Sequence, residues 1–181
     1  ASVDCDDSDN ANTTTDDCDN DGVATADDCD DSDSQNQAVC EVCIGDFYID
    51  GGSASELQAD IDALANCKHI TGDLYMGTTA FSGTLELQYL ARVEGLLDIS
   101  YNNMLLGLRF PSLGHVGSLN FYGNDNMQGL SMPLLRSVGE DFLIFNNEVL
   151  CMDRVEDIQS ALTHGPGHSS TFGNEGDCTD N

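Results

Sequence analysis

The residues best suited to chemistry are carboxylates. Asp17-Cys18-Asp19-Asn20-Asp21-Gly22-Val23-Ala24-Thr25-Ala26-Asp27-Asp28 fits the spacing D-x-D-x-D-G with an acid at the twelfth position, the pattern of a calcium loop. Ca²⁺ takes six to eight hard oxygen ligands, and alternate carboxylates on a tight turn can converge on one point. Gly22 permits the turn, Val23 can offer its carbonyl, and Asp28 is expected to close the sphere in place of the usual Glu. The string DCDDSD occurs twice, at Asp4–Asp9 and Asp28–Asp33, 24 residues apart. It adds Asp4, Asp6, Asp9, Asp30 and Asp33 to the ligands Asp17, Asp19, Asp21, Val23 and Asp28. Two or three Ca²⁺ ions are expected here. No amphipathic helices flank the loop, so it is not an EF-hand pair.

These residues lie in a stretch of distinct composition. Residues 1–40 hold 13 Asp, no Glu and no Lys or Arg. Too few large apolar residues are present to offset the entropy of ordering. Four cysteines and the regular alternation of Asp argue against a plain acidic tail. Spacing suggests Cys5–Cys18 and Cys29–Cys40, although four cysteines allow three connectivities. Cys40 and Cys43 form a C-x-x-C without a redox or zinc context and are expected in different bridges. The segment from 4 to 40 resembles thrombospondin type 3 and related bacterial Asp/Cys calcium repeats.

The whole chain has 181 residues, 33 Asp+Glu against 5 Lys+Arg and a net charge of −28. Such a charge disfavours nucleic acid and anionic lipid as partners and favours cations or basic partners. No apolar run approaches the length of a membrane span. Eight cysteines point to an oxidising compartment, and the start at Ala1 reads as a mature secreted chain whose signal peptide has been removed. Asn12-Thr13-Thr14 is a glycosylation sequon.

Residues 41–181 are richer in Leu and carry an internal repeat. Gly72-Asp73-Leu74-Tyr75-Met76 recurs as Gly95–Ile99, as Gly117–Phe121 and, with one insertion, as Gly139–Ile144; Gly45–Ile49 is an earlier copy. The first apolar position steps from Phe47 to Leu74, Leu97, Leu119 and Phe142, by 27, 23, 22 and 23. Each copy alternates like a short strand, with Leu74/Met76, Leu97/Ile99, Leu119/Phe121 and Phe142/Ile144 facing one way. Strands at this pitch stack into a short parallel β-solenoid. Leu85, Leu90, Val93, Leu105, Leu108, Leu113, Val116, Met127, Leu130, Leu135 and Val138 supply the opposite wall. The longer first return holds Ser53–Ile61, a capped helical turn or short helix. Asn102, Asn124 and Asn147 fall three residues past each second apolar position. This column is assigned to backbone hydrogen bonding.

The pattern G-x-L-x-I, N, L, L, P-x-L, V-G resembles the receptor L-domain, the leucine-rich-repeat-like solenoid of insulin and growth-factor receptor ectodomains. The resemblance implies a mainly β, right-handed solenoid. It implies that Cys43 and Cys67 cap the first coil and that Cys151 and Cys178 close the last. A single such domain without Cys-rich module or kinase carries over no receptor function. The division is 1–40 for the calcium repeats and 41–181 for the solenoid.

No catalytic fingerprint is present, and no enzyme is expected. Outward Asp98 with Glu94 or Asp73 is the strongest pair for glycoside chemistry. His164 and His168 share a Gly-Pro-Gly loop without an evident third metal ligand. Outward aromatics form two columns, Tyr48 with Tyr75 and Ser100 with Tyr122 and Phe145, with Leu143 as a further exposed apolar group. Tyr48, Tyr75, Tyr122 and Phe145 are the candidate binding residues. The composition favours a secreted calcium-binding structural protein, a self-associating subunit of an extracellular or cell-surface filament or adhesive layer. The alternative is a module that recognises a protein or glycan, with calcium as an internal brace.

Overall fold

The computed structural model describes residues 41–178. The expected calcium ligands, Cys5, Cys18, Cys29, Cys40, the sequon and the boundary near residue 40 lie outside the described residues. In chain order the elements are β1 (Glu41–Cys43), β2 (Phe47–Ile49), α1 (Ala54–Ala63), β3 (Cys67–Ile70), β4 (Leu74–Gly77), β5 (Gly83–Glu86), β6 (Arg92–Ser100) and β7 (Leu105–Arg109). They continue with β8 (His115–Tyr122), β9 (Gly129–Ser131), β10 (Ser137–Val138), β11 (Asp141–Phe145), α2 (Met152–Ser160) and β12 (His168–Ser170).

The protein is mainly β, and its strand pairs are parallel. Phe47 pairs with Leu74, Leu74 with Leu97, Leu97 with Leu119 and Leu119 with Phe142, which is the register the repeat dictates. Nine strands form one sheet, with β1-β3-β6-β8-β11-β12 as its main path and β2-β4 and β10 attached. The return segments add a second sheet, β5-β7-β9. All four inward pairs and every assigned wall residue from Leu85 to Val138 are buried. Burial on two walls of a narrow stack explains why both segments read as apolar at fixed offsets.

The glycines that open the repeats from Gly72 onward, Gly72, Gly95, Gly117 and Gly139, are required by close approach. Gly95 N donates to Gly72 O (3.0 Å), and a β-carbon at Gly117 would lie 2.7 Å from Gly95 O. Carbonyls of one coil fill the space where a side chain on the next would stand, so only hydrogen fits.

From β4 onward the coils turn their corners through a left-handed residue: Thr78, Tyr101, Gly123, Asn146 and Gly173 have φ of 56°, 60°, 65°, 52° and 70°. The following residue anchors the corner. Asn124 Nδ2 donates to Ile99 O (2.8 Å), and its Oδ1 accepts from Asn102 N (3.0 Å). Asn102 and Asn147 repeat this arrangement. The row extends beyond the three predicted asparagines. Asn174 accepts from Asn147 N (3.2 Å) and donates to Ile144 O (2.6 Å). At the other end Thr79 donates to Asn102 Oδ1 from its N (3.0 Å) and its Oγ1 (2.9 Å).

Disulfides Cys43–Cys67 and Cys151–Cys178, with Cα separations of 5.7 and 5.1 Å, bind the first and last coils. The predicted helical turn is α1, ten residues with a complete capping box between Ser53 and Glu56 and with Leu57 buried. Sequence reasoning did not foresee α2, which buries Val155 and Ile158, or β12. The segment read as a surface loop is in part strand: His168 opens β12 opposite Asp141, and His164 bridges Ser137. Leu143, expected to be exposed, is half-buried.

Candidate functional site on the outer face of the long sheet

Strand alternation sends one residue in two outward. The register therefore lays rows across the sheet, one residue per coil. The first outward row is Tyr48, Tyr75, Asp98, Asn120, Leu143 and Ser170. The second runs Gly77, Ser100, Tyr122 and Phe145. The four candidate binding residues thus fall into two separate stacks. Tyr48 and Tyr75 lie 5.2 Å apart with an interplanar angle of 14°. Tyr122 and Phe145 lie 4.6 Å apart at 23°. Two rings that the sequence did not single out extend the second stack. Phe172 packs on Phe145 at 5.3 Å, and Tyr101 meets Tyr122 edge-on at 4.8 Å. Tyr101 reaches that position because its φ is positive, which no side-chain pattern reveals. Rings one strand spacing apart stack on each other, so most of their faces are occupied within the stacks. Tyr48 and Phe172, 54% and 60% exposed, stand at the two ends.

The gap between the stacks is polar. Asp98 accepts from Ser100 Oγ and, through Oδ2, from Asn120 Nδ2 (3.1 Å). Asn120 Oδ1 is buried and has no partner among the described residues. Just before β4, Asp73 Oδ2 accepts from Tyr75 Oη (2.7 Å) and Asp73 Oδ1 from Leu96 N (2.7 Å). The bond to Asp73 is the main reason the Tyr75 phenol is pushed up to about 12.

Glu94 stands apart from this cluster. It accepts from Arg92 Nε (2.6 Å) and Nη2 (2.9 Å) and lies 3.1 Å from His69 Nε2. The Arg92 bond is the chief cause that holds its carboxyl down at about 2. A group so held is an ion-pair partner and not a proton donor at neutral pH. His69, Arg92, His115, Ser137 and His164 share a further row, and burial is the main influence lowering the His115 imidazole. His168 Nδ1 faces Asp141 Oδ1 at 3.5 Å. His164 and His168 are thus engaged with different neighbours. Among the described residues, the ligand set Cys151, Asp153 and Cys178 converges, and its two sulfurs are spent in a disulfide.

No protein-family model matches the chain, and no solved structure matches it. The sequence is similar to that of the cell wall protein ecm33 of Schizosaccharomyces pombe, with 36% identity over 85 residues. The match covers 45% of this chain and 20% of that protein, so the chain spans about a fifth of its relative's length. Together with the disulfides, this likeness supports a cell-surface or extracellular location. Among the described residues, no helix is long and apolar enough to cross a membrane.

Proposed function

We propose that this chain is a secreted structural protein of the cell surface, a calcium-loaded subunit of an extracellular layer or filament. The coil stack is read as a right-handed solenoid of the receptor L-domain type. Residues 1–40 are read as thrombospondin-type repeats that hold two or three Ca²⁺ through Asp4, Asp6, Asp9, Asp17, Asp19, Asp21, Val23, Asp28, Asp30 and Asp33. The observation that carries the reading is a continuous parallel stack clamped by a disulfide at each end, a stiff element suited to an oxidising exterior. The likeness to a cell wall protein agrees with it. A charge of −28 keeps ion-free chains apart. Each Ca²⁺ removes two charges and can bridge one subunit's Asp loops to another's acidic surface.

Light scattering on a sizing column, in excess EGTA and then in millimolar Ca²⁺, tests this. A calcium-dependent rise in mass is expected. An unchanged monomer in millimolar Ca²⁺ would sink the assembly role. A second reading, recognition of a glycan or protein partner, is favoured by one observation: the outer sheet face carries two exposed aromatic stacks on either side of a polar gap.

A further inference from the structure

We infer that the wall where β3, β6, β8 and β10 begin docks the Asp-rich segment, residues 1–40, of a second copy of this chain; this rests on the assembly reading. Each coil turns two neighbouring residues outward there, between buried ones such as Cys67 and Ile70 or Leu135 and Val138. Bonds from Ala91 N to Lys68 O, Gly114 N to Ala91 O, Arg136 N to Gly114 O and Thr163 N to Arg136 O align the first of each pair. The second of each pair is the row His69, Arg92, His115, Ser137 and His164. These ten positions hold three of the chain's five Lys+Arg, three of its four His and none of its 33 Asp+Glu. The residues two places before the first of the pairs, Asn66, Tyr89, Ser112 and Leu134, are uncharged as well. Along the chain toward the long sheet, the first carboxylates met are Asp73, Glu94 and Glu140.

The wall suits an extended acidic chain. Arg92 is spent on Glu94 at 2.6 Å. Arg136 Nη1 donates to two neutral carbonyls, Pro133 O (3.0 Å) and Leu135 O (2.8 Å), and Arg136 makes no ion pair among the described residues. Lys68 is exposed at the start of the same row, and the small Ala91 and Gly114 between them keep the floor low. The imidazoles add a reserve. His69 faces Glu94 (3.1 Å), His115 faces Ser137 Oγ (3.0 Å) and His164 faces Thr163 Oγ1 (3.2 Å). Imidazoles gain charge in mild acid, where Asp stays ionised. Residues 1–40 supply 13 Asp and no Lys or Arg, so they meet the wall favourably in either direction. The two or three Ca²⁺ proposed for them cancel about six of these 13 charges at most. The wall crosses five coils, about 19 Å, the span of about six extended residues. A net charge of −28 drives copies apart, and this acid-free wall is where that repulsion reverses.

Light scattering and sedimentation of the full chain in millimolar Ca²⁺, at about pH 7.5 and about pH 5.5, test this. Self-association should tighten severalfold at the lower pH. Lys68→Glu with Arg136→Glu should weaken it about tenfold or more. Lys68→Gln with Arg136→Gln should weaken it less. Arg109→Glu reverses a cation on β7, away from the wall, and should leave it within about twofold. Thermal melts establish that each variant is folded. The wall is overturned, and the assembly reading kept, if the double reversal leaves association intact, if Arg109→Glu weakens it equally, or if association loosens at the lower pH. If the parent stays monomeric in Ca²⁺, the assembly reading fails, and ¹⁵N-labelled full chain titrated with a synthetic peptide of residues 1–40 decides the wall by itself. Shifts at Lys68, His69, His115 and Arg136 keep it, and their absence overturns it. A hexauronate that binds the wall more tightly than the peptide assigns it to acidic polysaccharide and overturns the docking of a second copy.

Discussion

Asn124→Ala measures what one rung of the asparagine row contributes. The substitution strands Ile99 O, which loses its 2.8 Å donor, and Asn102 N, which loses its 3.0 Å acceptor. Both stand at a corner where Asn124 is fully buried, so water does not replace the lost partner. A buried unsatisfied group costs about 1–3 kcal/mol, and two of them with the small cavity left by the side chain give about 3–5 kcal/mol. The unfolding entropy of the coil stack, taken at about 2.1 cal/mol/K per residue, converts this to a fall in Tm of about 10–17 °C. Total stability for a chain this size is about 7–20 kcal/mol, so the variant should remain folded and measurable. Urea unfolding followed by far-UV circular dichroism provides the midpoint and the slope. Asn126→Ala is the control. It removes an exposed bond to Asn103 O and should cost no more than about 0.5 kcal/mol. A loss below about 1 kcal/mol in Asn124→Ala, or one equal to the control, refutes the argument that the row holds the corners.

Three further outcomes are expected. Gly117→Ala should destabilise by more than about 2 kcal/mol, since its β-carbon would overlap Glu94 O and crowd Gly95 O; the same urea titration measures it. Replacing Cys151 and Cys178 by Ser opens a closure spanning 27 residues and should cost about 3–4 kcal/mol, read from the melt of the double variant. Acid should act in two windows. The His115 value is lowered by burial, so its contribution is full above the ordinary imidazole value of about 6.5 and is lost as pH falls below it. Glu94 is held at about 2, so its contribution is full above about pH 4.5 and is lost between there and about pH 2. His115→Gln should flatten the upper part of a stability–pH profile and Glu94→Gln the lower part.

The repeat was legible because one physical event recurs at the coils of β6, β8 and β11. A glycine tucks under its predecessor, two apolar residues turn inward, and an asparagine ties the corner. Leu74, Leu97, Leu119 and Phe142 therefore keep a near-constant interval, and the pairing register follows from it. What escaped the sequence obeys weaker signals. Helix α2 has apolar residues at helical spacing, yet Cys151 at its N-cap makes no side-chain capping bond, so no start signal marks it. His168-Ser169-Ser170 has no apolar alternation and becomes strand through backbone pairing with β11. Asn174 follows no apolar strand pair, and Thr79 does the work of an asparagine with a hydroxyl and its own N–H. At the candidate site, the aromatic rows could be placed from register alone. The polar gap could not, because it depends on the rotamers that join Asp98, Ser100 and Asn120.

The asparagine row has a direction. Each side chain reaches back to the coil before it, accepting from that coil's corner N–H and donating to its strand carbonyl. A coil is therefore finished only by its successor. A chain made from the N-terminus exports every corner in an unfinished state, and the debt passes forward one turn at a time until Asn174 ends it just before Cys178. A further turn in such a stack would therefore have to bring its own corner residue and stand ahead of Asn174.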